Sequence, residues 1–265
     1  MTLHPYLIAL LALLAVAACG WLLSIVKKDV SFVDSLWSLF FLLAALVFAY
    51  LSLPLSAKGQ LVLALVAVWS LRLSIYISAR NWGQPEDYRY RTIRAKNEPG
   101  FAFKSLYIVF GLQGVLAWLV AMPLLPAISV DAPLTAVDIF AIALWLFGFI
   151  FEAGGDYQLA RFKSRRDSRG KVLDTGLWRH TRHPNYFGEF CMWWAFYLFA
   201  LTAGGWWSIA SPLLMSFLLL KVSGVAMLEK TIGKRRPEYA LYMRRTNAFF
   251  PGPRRSPKVL EEMKS

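Results

Sequence analysis

Seven apolar stretches alternate with polar connections along the chain. They lie at about 5–26, 33–53, 60–80, 103–125, 136–155, 186–203 and 206–228. Each is close to the roughly 20 residues that a helix needs to cross the hydrocarbon of a bilayer. Backbone polar groups in lipid must find partners within their own segment, which favours helices. The pattern therefore predicts an all-α, polytopic membrane protein with seven transmembrane helices.

Polar side chains inside these stretches fall near one end of them. Because hydrocarbon penalises charge, several such residues at one depth indicate a shared polar cavity. Long side chains such as Arg80 and Lys221 can reach the membrane surface from inside a span. Asp34, Asp156 and Asn185 are too short to do so, and we expect them to line the cavity.

Basic residues are concentrated in alternate connections. They follow the first, third, fifth and seventh stretches, whereas 126–135 and 202–205 contain neither Lys nor Arg. The positive-inside rule then places the N-terminus outside and the C-terminus in the cytoplasm. The first stretch lacks the charged start and cleavage site of a secretory signal, so we interpret it as a retained span. We expect one membrane domain over 1–251 and a polar tail over 252–265.

The composition excludes several classes of protein. The chain is 57% hydrophobic and 17% charged, which is too apolar for a soluble domain. Its net charge of +13 lies in loops beside apolar stretches, so we expect contact with membrane lipids and not with nucleic acid. Cys19 and Cys191 are isolated within apolar stretches, and neither a disulfide framework nor a metal site is predicted.

The segment 174–189 carries the strongest local signal for chemistry. Pro184 suits the first position of a helix, and Asn185, Glu189 and Trp193 then repeat every four residues on one face. The cations just before this helix are Arg179, His180, Arg182 and His183. A helix N-terminus flanked by cations predicts a phosphate site. A basic anchor for anionic lipid is the alternative interpretation.

The third stretch has a polar stripe. Trp69, Arg72, Tyr76 and Arg80 follow one another at spacings of three and four. An arginine in this setting needs an anion, and no acidic residue lies in the same stretch. A cofactor phosphate or a carboxylate from another helix would meet that need.

Asp34 has two interpretations on residues alone. An apolar setting favours the neutral acid, which can donate a hydrogen bond to a carbonyl group. An Asp immediately before an apolar run is also a favoured helix N-cap. The mixed-charge loop 84–91 also has two interpretations, since it can close over a ligand or simply be solvated.

Several motifs resemble the membrane-embedded steroid 5-alpha-reductase family and its bacterial branch. They are Val-Asp-x-x-Trp (33–37), Trp-x-x-Arg-Leu (69–73), Glu-Asp-x-Arg-Tyr (86–90), Arg-His-Pro-Asn-Tyr-x-Gly-Glu (182–189) and Arg-Arg-Pro-Glu-Tyr (235–239). The likeness extends from about 30 to 251 and is most specific over 174–193. The resemblance implies seven spans and NADPH-dependent reduction of a carbon–carbon double bond conjugated to a ketone, in a steroid-like or other lipid. The bacterial motifs and short loops indicate a bacterial inner membrane.

The resemblance also implies site residues, with 136–251 as the cofactor-binding region. The implied NADPH contacts are Arg72, Tyr76, Asp156, Lys163, Lys171, Asn185, Glu189 and Trp193, to which the phosphate prediction adds Arg179, Arg182 and His183. The catalytic pair falls on Asp34, in place of a longer Glu, and on Trp69, in place of a tyrosine. Trp69 can donate an N–H but not a phenolic proton. The family's histidines after the last span fall around Leu228 and Glu229, so that contact is absent.

Two other functions fit parts of the sequence. Arg-His-Pro-x-Tyr-x-Gly also occurs in isoprenylcysteine and phospholipid methyltransferases, which use the same helix start to hold S-adenosylmethionine. Glu229 and the Pro-Glu-Tyr segment would suit that reaction. A lipid-binding membrane protein without a cofactor is the other alternative. Asn185, Glu189, Asp34 and the third-stretch motif favour the reductase.

Overall fold

The computed structural model describes residues 4–168, 170–222, 225, 229 and 237–255. Its elements are helical, and Thr181 and Asn247 form an isolated parallel β-bridge. No strand is formed by the residues in these ranges, so the all-α prediction is confirmed. The predicted tail beyond 255 and most of the stretch between 223 and 236 lie outside the described residues.

Ten helices organise the described residues. They are α1 (Pro5–Lys27), α2 (Val33–Leu51), α3 (Ala57–Asn81), α4 (Tyr88–Asn97), α5 (Phe101–Val120), α6 (Leu124–Ser129), α7 (Ala136–Ser164), α8 (Pro184–Thr202), α9 (Trp206–Val222) and α10 (Pro237–Arg245). Helix α5 contains a π-helical turn at Leu106–Gly111, and α9 ends in one at Leu218–Val222. Short 3₁₀ turns lie at Arg166–Ser168 and Gly176–Arg179.

Five of these helices are long and apolar enough to cross a membrane. They are α1, α2, α3, α5 and α7. They fit a multi-pass membrane protein. Helix α8 is 19 residues long, but the polar residues at its start make it less apolar, and α9 is a shorter apolar helix. Helix α7 continues past the predicted end at 155 to Ser164, beyond its apolar part.

Local capping explains where several helices begin. Pro5 opens α1, and the Nδ1 atom of His4 accepts a hydrogen bond from the Tyr6 N–H at 3.3 Å. Ser56 caps α3 by accepting from the Gly59 N–H at 3.1 Å. Each cap satisfies a backbone donor that the first turn of a helix leaves without an intrahelical partner.

The chain divides into two compact units. The first comprises 1–135 and 199–211, and the second comprises 136–198 and 212–265. The second unit begins at the start of the predicted cofactor-binding region, while the single domain over 1–251 stays a prediction. In the first unit, α2 and α3 pack through the rings of Phe41 and Trp69, whose centroids are 5.6 Å apart. In the second unit, the core includes Phe187, Cys191, Val225 and Phe249.

Candidate functional site

Two glycines set how closely α7 and α8 approach each other. A Cβ built on Gly148 would lie 2.6 Å from the carbonyl oxygen of Gly188. A Cβ built on Gly188 would lie 2.5 Å from the backbone nitrogen of Glu152. Backbone atoms cannot swing aside, so glycine at both positions permits the crossing, as small residues do between membrane helices. The crossing brings the middle of α7 against the start of α8.

Four polar residues, which we call the α7–α8 cluster, lie at this crossing. They are Glu152 and Asp156 on α7, and Asn185 and Glu189 on α8. The three acids are buried, with exposed fractions of 2%, 3% and 8% for Glu152, Asp156 and Glu189. The Asn185 side-chain amide donates to Asp156 Oδ1 at 3.2 Å. The structure thus joins two predicted cofactor residues directly and places Glu189 one turn further along α8. Trp193, another turn on, is buried as well.

The start of α8 is held in place by Arg182. Its Nε and Nη2 atoms donate to the two carboxylate oxygens of Glu229 at 2.6 and 2.9 Å. Its Nη1 atom donates to the carbonyl oxygens of Met243 and Thr246 at 2.8 and 2.5 Å. Four of the five guanidinium N–H groups are thereby engaged within the protein. These contacts support a positioning role for Arg182, and its predicted phosphate contact stays a prediction.

His183 binds the same carboxylate. Its Nε2 atom lies 3.1 Å from Glu229 Oε1, and its ring stacks on Tyr186 with centroids 5.6 Å apart. Burial alone would raise the pKa of Glu229, but hydrogen bonds from His183 and Arg182 outweigh burial and lower that pKa to about 2. Glu229 is therefore an ionised anchor for both residues that precede α8.

The remaining predicted cations of the second unit lie at its surface. Lys163, Lys171 and Arg179 are exposed. Lys171 lines a cavity formed with α10 and the residues that follow it. The described residues include no group of three or more His, Cys, Asp or Glu that could hold a metal ion.

The predicted stripe on α3 belongs to the first unit. The Arg72 guanidinium lies 5.7 Å from the centroid of the Tyr76 ring, and the Arg80 guanidinium lies 6.0 Å from the same centroid. These are cation–π contacts between side chains on one face of the helix. Trp69 is fully buried and packs against Phe41.

Asp34 joins a polar network in the first unit, which we call the Asp34 cluster. Asp34 accepts hydrogen bonds at 2.5 Å from both Arg89 Nη2 and the Tyr90 hydroxyl. The Gln113 amide donates to the Tyr90 oxygen at 3.1 Å. Burial, together with the negative charge of Asp34, raises the pKa of Tyr90 above its ordinary value. Asp34 is not the N-cap of α2, since Phe32 occupies that position, and the N-cap interpretation was wrong.

The contacts of Asp34 also bear on which groups of the cluster can meet a ligand. The Tyr90 hydroxyl gives its single proton to Asp34, whereas Arg89 has more N–H groups than those it donates to Asp34 and Asp87. Arg89 is therefore the donor available to a carbonyl group in this cluster, and Asp34 orients it.

A comparison with known proteins places the chain in a family. The model of DUF1295, a family described as a protein of unknown function, matches residues 20–246. The chain belongs to this family. DUF1295 includes steroid 5-alpha-reductase-like proteins, which agrees with the resemblance in the motifs. The chain is also 27% identical over 286 residues to an uncharacterized protein of Schizosaccharomyces pombe, covering 94% of this chain and 80% of that relative. No solved structure matches the chain.

Sequence reasoning missed three partners in this DUF1295 protein. Arg89 and Tyr90 were visible only as part of the Glu-Asp-x-Arg-Tyr motif, and Gln113 had no signal. The motif identified Arg89 and Tyr90 as residues of interest, but it did not indicate that they contact Asp34. The predicted loop 84–91 instead leads into α4, whose first turn supplies both Arg89 and Tyr90.

Proposed function

We propose that this DUF1295 protein is a membrane-embedded enzyme that uses NADPH to reduce a carbon–carbon double bond conjugated to a ketone. The substrate class is a steroid-like or other lipid. The observation that carries the proposal is the α7–α8 cluster, in which Asp156 and Asn185 are paired beside buried Glu152 and Glu189. Buried acids on apolar helices are costly and tend to mark functional sites in membrane proteins.

The α7–α8 cluster suits the carboxamide of a nicotinamide. One amide N–H of Asn185 goes to Asp156, which fixes the orientation of the side chain. Its second N–H and its carbonyl oxygen have the right polarity to pair with a ligand amide. The Glu189 carboxylate, one turn away, is an acceptor for the N–H groups of such an amide. When bound, NADPH supplies the hydride.

The cations near the surface of the second unit suit the cofactor's phosphates. Lys163, Lys171 and Arg179 are exposed, and a lysine ammonium or arginine guanidinium binds phosphate oxygens well. Arg72 and Tyr76 stay in the proposed set on the strength of the motif. These assignments make the basic segments of the chain part of cofactor binding as well as of membrane orientation.

Carbonyl polarisation is assigned to the Asp34 cluster. Its donor to the carbonyl group is Arg89, which Asp34 holds before any substrate binds, while Tyr90 donates to the other oxygen of Asp34. Preorganised donors facing a developing enolate oxygen can lower a barrier by about 3–4 kcal/mol. Trp69 keeps its proposed role as an additional N–H donor.

We further propose seven crossings, with the N-terminus outside and the C-terminus in the cytoplasm of a bacterial cell. Helix α8 and the stretch 206–228 would be the sixth and seventh spans. The basic residues that follow the first, third, fifth and seventh stretches support this orientation. The bacterial motifs support the inner membrane.

The proposal is tested by binding. Purified protein is titrated with NADPH, NADH and S-adenosylmethionine while its thermal midpoint is followed. We expect NADPH to raise the thermal midpoint. At a hundredfold excess over Kd, binding to the folded state adds about 2.7 kcal/mol to the free energy of unfolding. Stabilisation by S-adenosylmethionine instead would establish the methyltransferase alternative. If none of the three compounds changes the midpoint, the reductase proposal fails and the alternative of a lipid-binding protein without a cofactor is favoured.

Asn185→Ala examines the site itself. We expect it to weaken NADPH binding about tenfold or more, because a buried amide contact is lost, and to abolish reduction of an enone lipid. Gln84→Ala, on an exposed loop residue, is the control and should bind as the wild type does. Normal NADPH binding and oxidation by Asn185→Ala would refute the assignment.

A further inference from the structure

A cavity in the second unit lies apart from the α7–α8 cluster. Its volume is about 410 Å³, within the range of about 300–1,000 Å³ typical of small-molecule sites. We call it the tail pocket, because its walls come from residues after Ser164. Its lining includes Lys171, Asp174, Tyr242, Arg245 and Arg254.

The tail pocket has a basic lining. Three cations, Lys171, Arg245 and Arg254, line it together with the two acids Asp174 and Glu238. One acid is already matched, since Arg254 Nη2 binds Asp174 Oδ2 at 2.8 Å. Glu238 is exposed. The lining therefore favours an anionic ligand over a neutral or cationic one.

Two donors of the lining lack acceptors. The Nε atoms of Arg245 and Arg254 are buried, and neither has a hydrogen-bond partner within the described ranges. These two atoms are enclosed by the protein, so a ligand in the pocket would meet the terminal N–H groups of the two arginines instead. The planar guanidinium fork matches the geometry of phosphate.

The walls of the tail pocket are anchored. The Tyr242 hydroxyl donates to the carbonyl oxygen of Trp178 at 2.5 Å, which fixes α10 against the segment that precedes α8. The Arg254 contact with Asp174 fixes the other side. A site with prearranged walls loses less conformational freedom when a ligand binds.

We propose that the tail pocket binds a phosphate group. Two sources share this chemistry, a nucleotide phosphate and the headgroup of an anionic lipid. The nucleotide source rests on the proposed reductase function and would make the pocket part of its cofactor site. The lipid source does not depend on that function.

The test measures binding to full-length protein in phosphatidylcholine nanodiscs, without turnover. One arm titrates 2′,5′-ADP, with adenosine as the ligand control that lacks phosphate. The other arm uses nanodiscs that also contain phosphatidylglycerol and measures, by native mass spectrometry, how much of this lipid the protein retains. Each arm is run on the wild type, Arg245→Gln and Arg244→Gln. Arg244 is the matched control, because it is the exposed neighbour of Arg245 on α10 and does not line the pocket.

We expect Arg245→Gln to weaken binding about tenfold or more in one arm, and Arg244→Gln to change it less than about twofold. The arm that responds identifies the source of the phosphate. Equal losses in both variants would mean a nonspecific charge effect and would overturn the proposal, as would the absence of binding in both arms. Thermal midpoints of both variants establish that they are folded. If phosphatidylglycerol binds while NADPH gives no stabilisation, the pocket stands and the reductase function fails.

Discussion

Each unit of this protein contains an arginine–carboxylate pair beside its proposed functional residues, Arg89–Asp34 in the first and Arg182–Glu229 in the second, and these two pairs differ in how completely the arginine is engaged. Arg182 donates hydrogen bonds to both carboxylate oxygens of Glu229 and to two backbone carbonyl groups, and its side chain is 9% exposed. Arg89 is shared between Asp34 and Asp87, and its side chain is 27% exposed. The first pair has little capacity left for a ligand, whereas the second retains an accessible cation.

This difference suggests a structural role for the Arg182–Glu229 pair and a role in the proposed reaction for the Arg89–Asp34 pair. The Arg182–Glu229 pair fixes the helix that carries Asn185, so it acts on the proposed cofactor site only through geometry. The Arg89–Asp34 pair lies in a network with a phenol and an amide, the kind of group that can contact a substrate. We therefore expect loss of the first pair to affect stability most, and loss of the second to affect turnover most.

The largest expected effect follows from Glu229→Gln. The change leaves the nearly buried Arg182 without its counter-charge, and removal of one partner of a buried pair costs about 3–5 kcal/mol. Unfolding of the purified protein, followed by tryptophan fluorescence in increasing denaturant, measures the loss. Glu238→Gln is the control, because Glu238 is exposed and should cost little.

The same variant gives a pH signature. The folded pKa of Glu229 is about 2 against an ordinary value of 4.5, so its stabilisation is complete above about pH 5 and is lost as the pH falls toward 2. The difference in unfolding free energy between wild type and Glu229→Gln should therefore shrink over that window. A difference that does not change with pH would contradict an ionised Glu229.

The sequence predicted the long helices well, because length and apolar character are local properties. It placed Asp156 and Asn185 in one polar region, since both stand near the same end of consecutive stretches, and the structure shows that they are hydrogen-bonded. It could not pair Arg182 with Glu229 or Asp34 with Arg89, which are separated by 47 and 55 residues. Charge complementarity allows many such pairs, and only the packed helices select one. Gly188 likewise stood in the 182–189 motif, but its packing role could not be predicted, since it depends on the backbone of another helix.

A smaller effect is expected for Gly188→Ala, which tests how closely the start of α8 packs against α7. The added Cβ meets backbone atoms of α7, and overpacking of this kind costs about 1–3 kcal/mol. It should also weaken NADPH binding by moving Asn185 away from Asp156. Gly114→Ala is the matched control, because a Cβ there would meet its nearest neighbours at an ordinary 3.7 Å. Equal behaviour of the two variants would show that the crossing is not tight.

The smallest effect on stability, and the sharpest on turnover, is expected for Tyr90→Phe in the Asp34 cluster. The ring and its packing remain, while the hydroxyl that donates to Asp34 and accepts from Gln113 is lost. A typical hydrogen bond contributes about 1 kcal/mol to stability, so the fold should persist. Because Tyr90 holds Asp34, and Asp34 orients the proposed carbonyl donor Arg89, kcat should fall by about a hundredfold while NADPH affinity stays unchanged. Tyr107→Phe, on an exposed tyrosine of α5, is the control. A stability loss with normal kcat would make this pair structural like Arg182–Glu229, and the contrast between the two units would then disappear.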